Sequence, residues 1–169
     1  MFGNVLNLTP LRIAWMNVNE DIFARKQIQD RILTRITAQW KINSPTQTLT
    51  LQDGRIEFHE LMFLTRVIKV NLSIVTLDLF DSRIGLEGTN YLVEGLKSNQ
   101  TVKTLNLGYC LIKNVTSLSE MLRVNRGICT LILSGNTIGD DGAMALSEAL
   151  KTNRTMTRLS LRCKKGFSQ

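Results

Sequence analysis

Few residues in this 169-residue chain have the types and spacing that chemistry requires. His59 is the one histidine, and the only side chain whose ordinary pKa suits a proton shuttle near neutral pH. A general base needs a nucleophile or an acid within reach. His59 has no Ser, Cys or Asp at a recognisable catalytic spacing. The three cysteines, Cys110, Cys129 and Cys163, lie 19 and 34 residues apart and lack a second histidine, so no zinc pattern exists. Their odd number and wide spacing argue against a disulfide framework and for reduced thiols in a cytoplasmic protein. Gly135, Gly139 and Gly142 form a glycine-rich stretch without the GxxxxGK[ST] of a phosphate loop. Asp140-Asp141 would suit a cation, but a helix N-terminus accounts for the pair without a metal. The expected reading is therefore a protein that is not an enzyme and takes no cofactor, metal or small-molecule substrate.

The elements that carry these residues recur. Leu49-x-Leu51 returns as Leu77-x-Leu79, Leu105-x-Leu107, Leu131-x-Leu133 and Leu159-x-Leu161, at steps of 28, 28, 26 and 28 residues. Asn43, Asn71, Asn99, Asn125 and Asn153 each stand six residues before the leucine pair. Ile56, Ile84, Ile112 and Ile138 each stand five residues after it. Within a unit the period changes. Thr130-Leu131-Ile132-Leu133 alternates like a strand. From Asp140 to Lys151 the spacing is helical, with Ala143, Leu146, Ala149 and Leu150 expected on one buried face. Each unit is thus a strand, a turn and a helix, and stacking the units buries one continuous leucine core. Asn136 and Cys110 stand three residues after the second leucine, where a short polar group can bond the bend that ends the strand. Gly54 and Ser82 hold that place in the first two units, so this ladder is expected to weaken there. Of the N-x-S/T sequons at Asn7, Asn71, Asn99, Asn114 and Asn153, three fall on the repeat asparagine, which explains them better than glycosylation.

The segment from Thr130 to Arg162, TLILSGNTIGDDGAMALSEALKTNRTMTRLSLR, resembles the leucine-rich repeat of the ribonuclease-inhibitor type. It is similar also to the repeats of NOD-like receptors and GTPase-activating leucine-rich-repeat proteins. The resemblance extends from Ser44 to Arg162, strongest in the fourth unit and weakest in the first, which has Gly54 for Asn and His59 in its helix. It implies an α/β fold: a right-handed solenoid, a horseshoe arc with parallel strands on the concave face and helices on the convex face. It also implies a protein-protein interaction role, since the family includes inhibitors, GTPase regulators, innate-immune sensors and cytoskeletal proteins. Residues 44–169 are expected to form the array, about four units and a partial fifth, either whole or part of a longer leucine-rich-repeat protein. Residues 1–43 break the period and are expected to form an N-terminal helical cap, with a helix from Glu20 to Trp40.

With the leucines inward, the alternate strand residues face outward. Those columns run Thr48, Thr76, Thr104, Thr130, Arg158; then Thr50, Asp78, Asn106, Ile132, Ser160; then Gln52, Phe80, Gly108, Ser134, Arg162. Aromatic and arginine side chains dominate interface energies. Asp78, Phe80, Asn106, Tyr109, Ile132, Arg158 and Arg162 are therefore the expected partner-binding residues on the concave face. The partner is a protein; regulation of a small GTPase is the alternative reading, and nucleic-acid binding ranks below it. The formal charge of +7 supports that ranking. Residues 151–169 hold six basic residues and no acidic one, leaving 15 basic against 14 acidic in the other 150. The scaffold is close to neutral with a basic C-terminal segment, and basic residues interleaved with aromatics are missing. No apolar run of about 18 residues exists to cross a membrane, and MFGNVLNLTP reads poorly as a signal peptide.

Overall fold

The computed structural model describes residues 47–52, 54–70 and 73–162. The expected helical cap over 1–43 lies outside the described residues, as do Asn71 and Cys163. The described elements alternate: β1 (Thr48–Thr50), α1 (Phe58–Val70), β2 (Thr76–Asp78), α2 (Gly85–Ser98), β3 (Thr104–Asn106), α3 (Thr116–Val124), β4 (Thr130–Ile132), α4 (Asp140–Thr152) and β5 (Arg158–Ser160). The strands form one parallel sheet in the order β1-β2-β3-β4-β5. Its register matches the repeat: Leu49, Leu77, Leu105, Leu131 and Leu159 stand side by side. Strands sit about 4.8 Å apart, whereas packed helices need about 8–10 Å. The strand layer is therefore the inner curve of the stack and the helix layer the outer one.

The core lies between the two layers. The leucine pairs of the first four strands are at most 1% exposed, joined by Leu61, Leu64, Leu92, Leu96, Leu118, Leu122 and Leu146 from the helices. Each such leucine contributes roughly 1.5–3 kcal/mol by leaving water. Ile56, Ile84 and Ile112 are buried beneath the turns, and Ile138 is partly buried.

The helices also differ at the end of the stack. In α2, Thr89, Val93 and Leu96 are buried. Their counterparts in α4 are Ala143, Ser147 and Leu150, of which the first two are exposed and the third half-buried. The expectation that Ala143 shares the buried face of α4 is thus corrected. Only Leu146 and Ala149 are buried there, because no following helix among the described residues covers the far side.

Two polar ladders hold the units together. In the turn ladder, the Asn136 amide nitrogen donates to the carbonyls of Leu107 and Leu133 at 2.7 and 2.9 Å, and its oxygen accepts from the Ile112 amide at 3.0 Å. Cys110 Sγ donates to the Leu79 carbonyl at 3.0 Å. Ser82 Oγ donates to the Leu51 carbonyl at 2.7 Å. The ladder expected to weaken toward the first units is carried on by the Ser82 hydroxyl, with one bond between units where Asn136 makes two.

The second ladder lies at the helix C-termini and is built from the repeat asparagines. Asn99 donates to the Ile68 carbonyl at 2.8 Å and accepts from the amides of Thr101 and Val102 at 2.9 and 2.8 Å. Asn153 donates to the carbonyls of Leu122 and Asn125 at 2.7 and 3.3 Å and accepts from Thr155 and Met156 at 2.8 Å. These bonds answer the carbonyls that a helix leaves unpaired at its end. They also account for the sequons at Asn99 and Asn153, whose side-chain nitrogens are buried and bonded.

Candidate functional site

The outward columns of the sheet are arranged as the register requires. Asp78 lies between Thr50 and Asn106, Asn106 beside Ile132, and Ile132 beside Ser160. Asp78 and Asn106 also shape the strand ends. The Phe80 amide donates to Asp78 Oδ1 at 3.1 Å and the Gly108 amide to Asn106 Oδ1 at 3.0 Å. Each closes a local turn of the kind short polar side chains favour. Gln52 Nε2 donates to the other carboxylate oxygen of Asp78, so the acid is tied to the neighbouring strand.

Beyond the strands, Phe80 and Tyr109 meet edge to face, with ring centroids 5.3 Å apart and planes at 62°. Such pairs contribute about 0.5–1.5 kcal/mol beyond the area they bury. Two glycines make room for them. A Cβ on Gly108 would stand 3.0 Å from the Phe80 ring, and one on Gly135 would stand 2.7 Å from the Tyr109 ring. Tyr109 itself adopts a φ of 56°. The left-handed turn swings its ring out of the strand plane and over the next unit. Both rings are half-exposed.

The structure therefore brings Asp78, Phe80, Asn106, Tyr109 and Ile132 together. Arg158 and Arg162 are not part of that cluster. They are exposed on β5 and just past its end, with Arg162 three strands along from Phe80, about 14 Å away. Sequence reasoning missed the turn-forming roles of Asp78 and Asn106 and the contact between the two rings. Once the strands are in register, Gly108 follows Phe80 and Gly135 follows Tyr109, and that pairing was the available signal. A second aromatic pair, Phe58 with Tyr91, lies on the helix layer at 4.7 Å and 89°.

The residues that suggested chemistry are scattered. Among the described residues, no group of three or more His, Cys, Asp or Glu side chains gathers to hold a metal ion. His59 stands in α1 with Nε2 buried and without a hydrogen-bond partner. Asp140 and Asp141 occupy the first turn of α4, and Lys151 its last turn. Cys110 is buried, and that burial pushes its thiol up to about 11, with the carboxylates of Asp81 and Asp78 raising it further against the amides of Ser82 and Ile84. Thiolate, the reactive form, is therefore suppressed. Iodoacetamide at pH 8 is expected to modify half-buried Cys129 and to leave Cys110 intact until urea unfolds the chain, as read by peptide mass spectrometry. The folded thiol titrates above its ordinary value of 9.0, so this contribution to stability is complete below pH 9 and is lost as pH rises toward 11. A Cys110→Ser variant removes that alkaline loss.

Five parallel strands in repeat register, tied by turn rungs at Ser82, Cys110 and Asn136 and by asparagine rungs at Asn99, Asn125 and Asn153, define a leucine-rich-repeat solenoid. The leucine-rich repeat family model matches residues 129–147, the fourth strand and most of α4. No curated protein is detectably similar to the chain in sequence. Solved structures share its fold. The leiomodin-1 actin-binding site 2 superposes with a TM-score of 0.66 at 19% identity, over 80% of this chain and 79% of that one. The tropomodulin C-terminal domain of Caenorhabditis elegans gives 0.62 at 14% identity, over 80% and 84%. The Mex67 leucine-rich-repeat domain of Chaetomium thermophilum gives 0.57 at 15% identity, over 82% and 95%. At these identities the likeness is one of fold: the chain has a leucine-rich-repeat fold. No helix among the described residues is long and apolar enough to cross a membrane.

Proposed function

We propose that the chain is a cytoplasmic protein-binding module whose strand face takes a protein partner around Phe80 and Tyr109. The observation that carries this reading is the half-exposed edge-to-face pair, set on a rigid sheet beside Asp78 and Ile132. Aromatic anchors of this kind concentrate binding energy when a partner seals them from water. Asp78 adds a charge held in place by Gln52, which favours a partner presenting a donor or a cation at that point. The free thiols of Cys110 and Cys129 suit a reducing compartment. No observation on this face favours GTPase regulation over simple binding.

Actin is the first defined partner to test, because the leiomodin-1 structure is an actin-binding site. In co-sedimentation and pull-down, Phe80→Ala combined with Tyr109→Asn is expected to reduce partner recovery at least about tenfold, as hot-spot removal does. Asparagine is chosen because it tolerates the positive φ of Tyr109. Losing the ring pair is expected to lower the melting temperature by a few degrees while unfolding stays cooperative. Unchanged recovery of the partner by a well-folded variant would remove this face from the binding site.

A further inference from the structure

The bend that follows β2, β3 and β4 uses a left-handed residue. Asp81, Tyr109 and Gly135 hold the same place in successive units, at φ of 51°, 56° and 77°. Glycine adopts that conformation freely and aspartate tolerates it. A bulky residue there is an outlier, and the left-handed region costs about 1–2 kcal/mol once a Cβ is present. The contact with the Phe80 ring offsets only part of that cost. Strain of this kind collects at ligand clamps, and here it is spent on holding one aromatic ring in place.

The ring is held in a particular pose. Tyr109 Cδ2, Cε2 and Cζ are all 2.7 Å from the point where a Gly135 Cβ would stand. Equal distances put that point over the ring, so one face of Tyr109 lies flat on Gly135 and the other looks away from it. Phe80 stands beside it at 62°, and the two rings make a corner. Acid borders the corner. Asp78 and Asp81 flank Phe80 along the chain. The Asp81 amide donates to the Gly108 carbonyl and the Tyr109 amide to the Ser134 carbonyl, both at 2.9 Å. Asp81 and Tyr109 therefore stand on neighbouring rungs, about 4.8 Å apart. In the outward columns of the first four strands Asp78 is the one charged side chain. The bonds from Phe80 and Gln52 use two of its roughly four acceptor positions. Asp81 meets Arg83 at 3.8 Å, with both side chains well exposed, so that pair holds weakly.

We infer that this corner seats an arginine side chain of the protein partner, which rests on the strand face being the binding face. The guanidinium lies over the outer face of Tyr109 beside Phe80, and its N–H groups turn to the carboxylate of Asp78. Asp81 adds negative charge from one rung before Tyr109. The face of an aromatic ring is negative and draws a cation. Arginine fits better than lysine, because its guanidinium is planar, forked and more weakly hydrated, so it can stack on a ring and bond a carboxylate at once. A metal ion does not fit, since no three His, Cys, Asp or Glu side chains gather among the described residues.

The test titrates the full chain, labelled with nitrogen-15, with three capped tripeptides, Gly-Arg-Gly, Gly-Lys-Gly and Gly-citrulline-Gly. Citrulline keeps the shape of arginine without its charge. The arginine peptide is expected to shift the amide signals of Phe80, Gly108, Tyr109 and Gly135, with a Kd in the millimolar range. The lysine and citrulline peptides should bind at least about threefold and fivefold more weakly. Asp78→Asn keeps an acceptor for the Phe80 amide, and Tyr109→Gly keeps the bend and relieves its strain. Each should weaken the arginine peptide at least about fivefold while unfolding stays cooperative. Absence of shifts at these four amides would overturn the inference. So would equal binding of the arginine and lysine peptides, or undiminished binding by Tyr109→Gly, since each leaves a site of charge alone. Pull-down of a protein partner separates this inference from the reading beneath it. Recovery that falls in Phe80→Ala with Tyr109→Asn but not in Asp78→Asn keeps the aromatic face and removes the arginine. Recovery that falls in neither removes both.

Discussion

Replacing Asn125 by alanine should cost about 4 kcal/mol of folding stability, the upper range for a single side chain. Asn125 is fully buried. Its side-chain nitrogen donates to the carbonyls of Leu96 and Asn99, both at 2.7 Å, and its oxygen accepts from the amides of Gly127 and Ile128, both at 2.8 Å. One planar group thus satisfies four backbone groups, two in the preceding unit and two in its own turn. Alanine leaves all four in the interior, and each orphaned group costs about 1–3 kcal/mol before water or backbone shifts recover part of it. Asn125→Asp keeps the acceptor but offers the two carbonyls no N–H, so it should fare no better. Asn114 is the natural control. It is exposed and accepts one bond, from the Thr116 amide at 2.8 Å, so Asn114→Ala should cost about 1 kcal/mol. Urea unfolding followed by circular dichroism measures all three. A loss below about 1 kcal/mol for Asn125→Ala would mean that the asparagine ladder does not bind the units together.

The same asparagines show how far the fold is legible in the sequence. Their spacing before each leucine pair marks the period, and the period alone gives the register: Leu49 to Leu159 lie side by side as counted. The role of each asparagine is less legible, because its partners are carbonyls about 26 to 31 residues away, fixed by stacking. Ala143 shows a second gap. Helical spacing places it beside Leu146, but burial depends on which neighbours flank the helix, and α4 has a covered side and an uncovered one. At the candidate site, alternation puts Asp78, Phe80, Asn106 and Ile132 on the outer face. What alternation leaves out is the end of each strand, where a positive φ swings the Tyr109 ring over Gly135, Phe80 packs against it, and two glycines give the rings space. Arg158 and Arg162 share those columns and yet lie apart from the cluster. A column says which way a residue faces and not how far along the sheet it stands.

Gly95→Leu should be the other severely damaging substitution, with a loss of about 3 kcal/mol or more. Glycine inside a helix costs about 1 kcal/mol relative to alanine, so its place in the last turn of α2 needs a contact that requires it. That contact is with α1: a Cβ on Gly95 would lie 2.7 Å from the Thr65 carbonyl oxygen and 3.0 Å from Thr65 Cγ2. The nearest obstacle is backbone, which cannot rotate aside as a side-chain tip can. Even Gly95→Ala must push α1 away from α2, and the gain in helix propensity offsets only part of that strain. Gly139→Ala meets nothing within 4 Å and should change stability by about 0.5 kcal/mol or less. In a solenoid each unit contacts only its neighbours, so the damage should be local. Hydrogen exchange should quicken first in α1 and β1, while the amides of α4 keep their protection. Uniform loss of protection would instead mean that the array unfolds as one cooperative body. The seam also bears on the binding face. β1 carries Gln52 to Asp78 just past its end, and Asp78 holds the turn that presents Phe80. A wedge driven between α1 and α2 should therefore weaken partner binding at the aromatic pair without touching either ring.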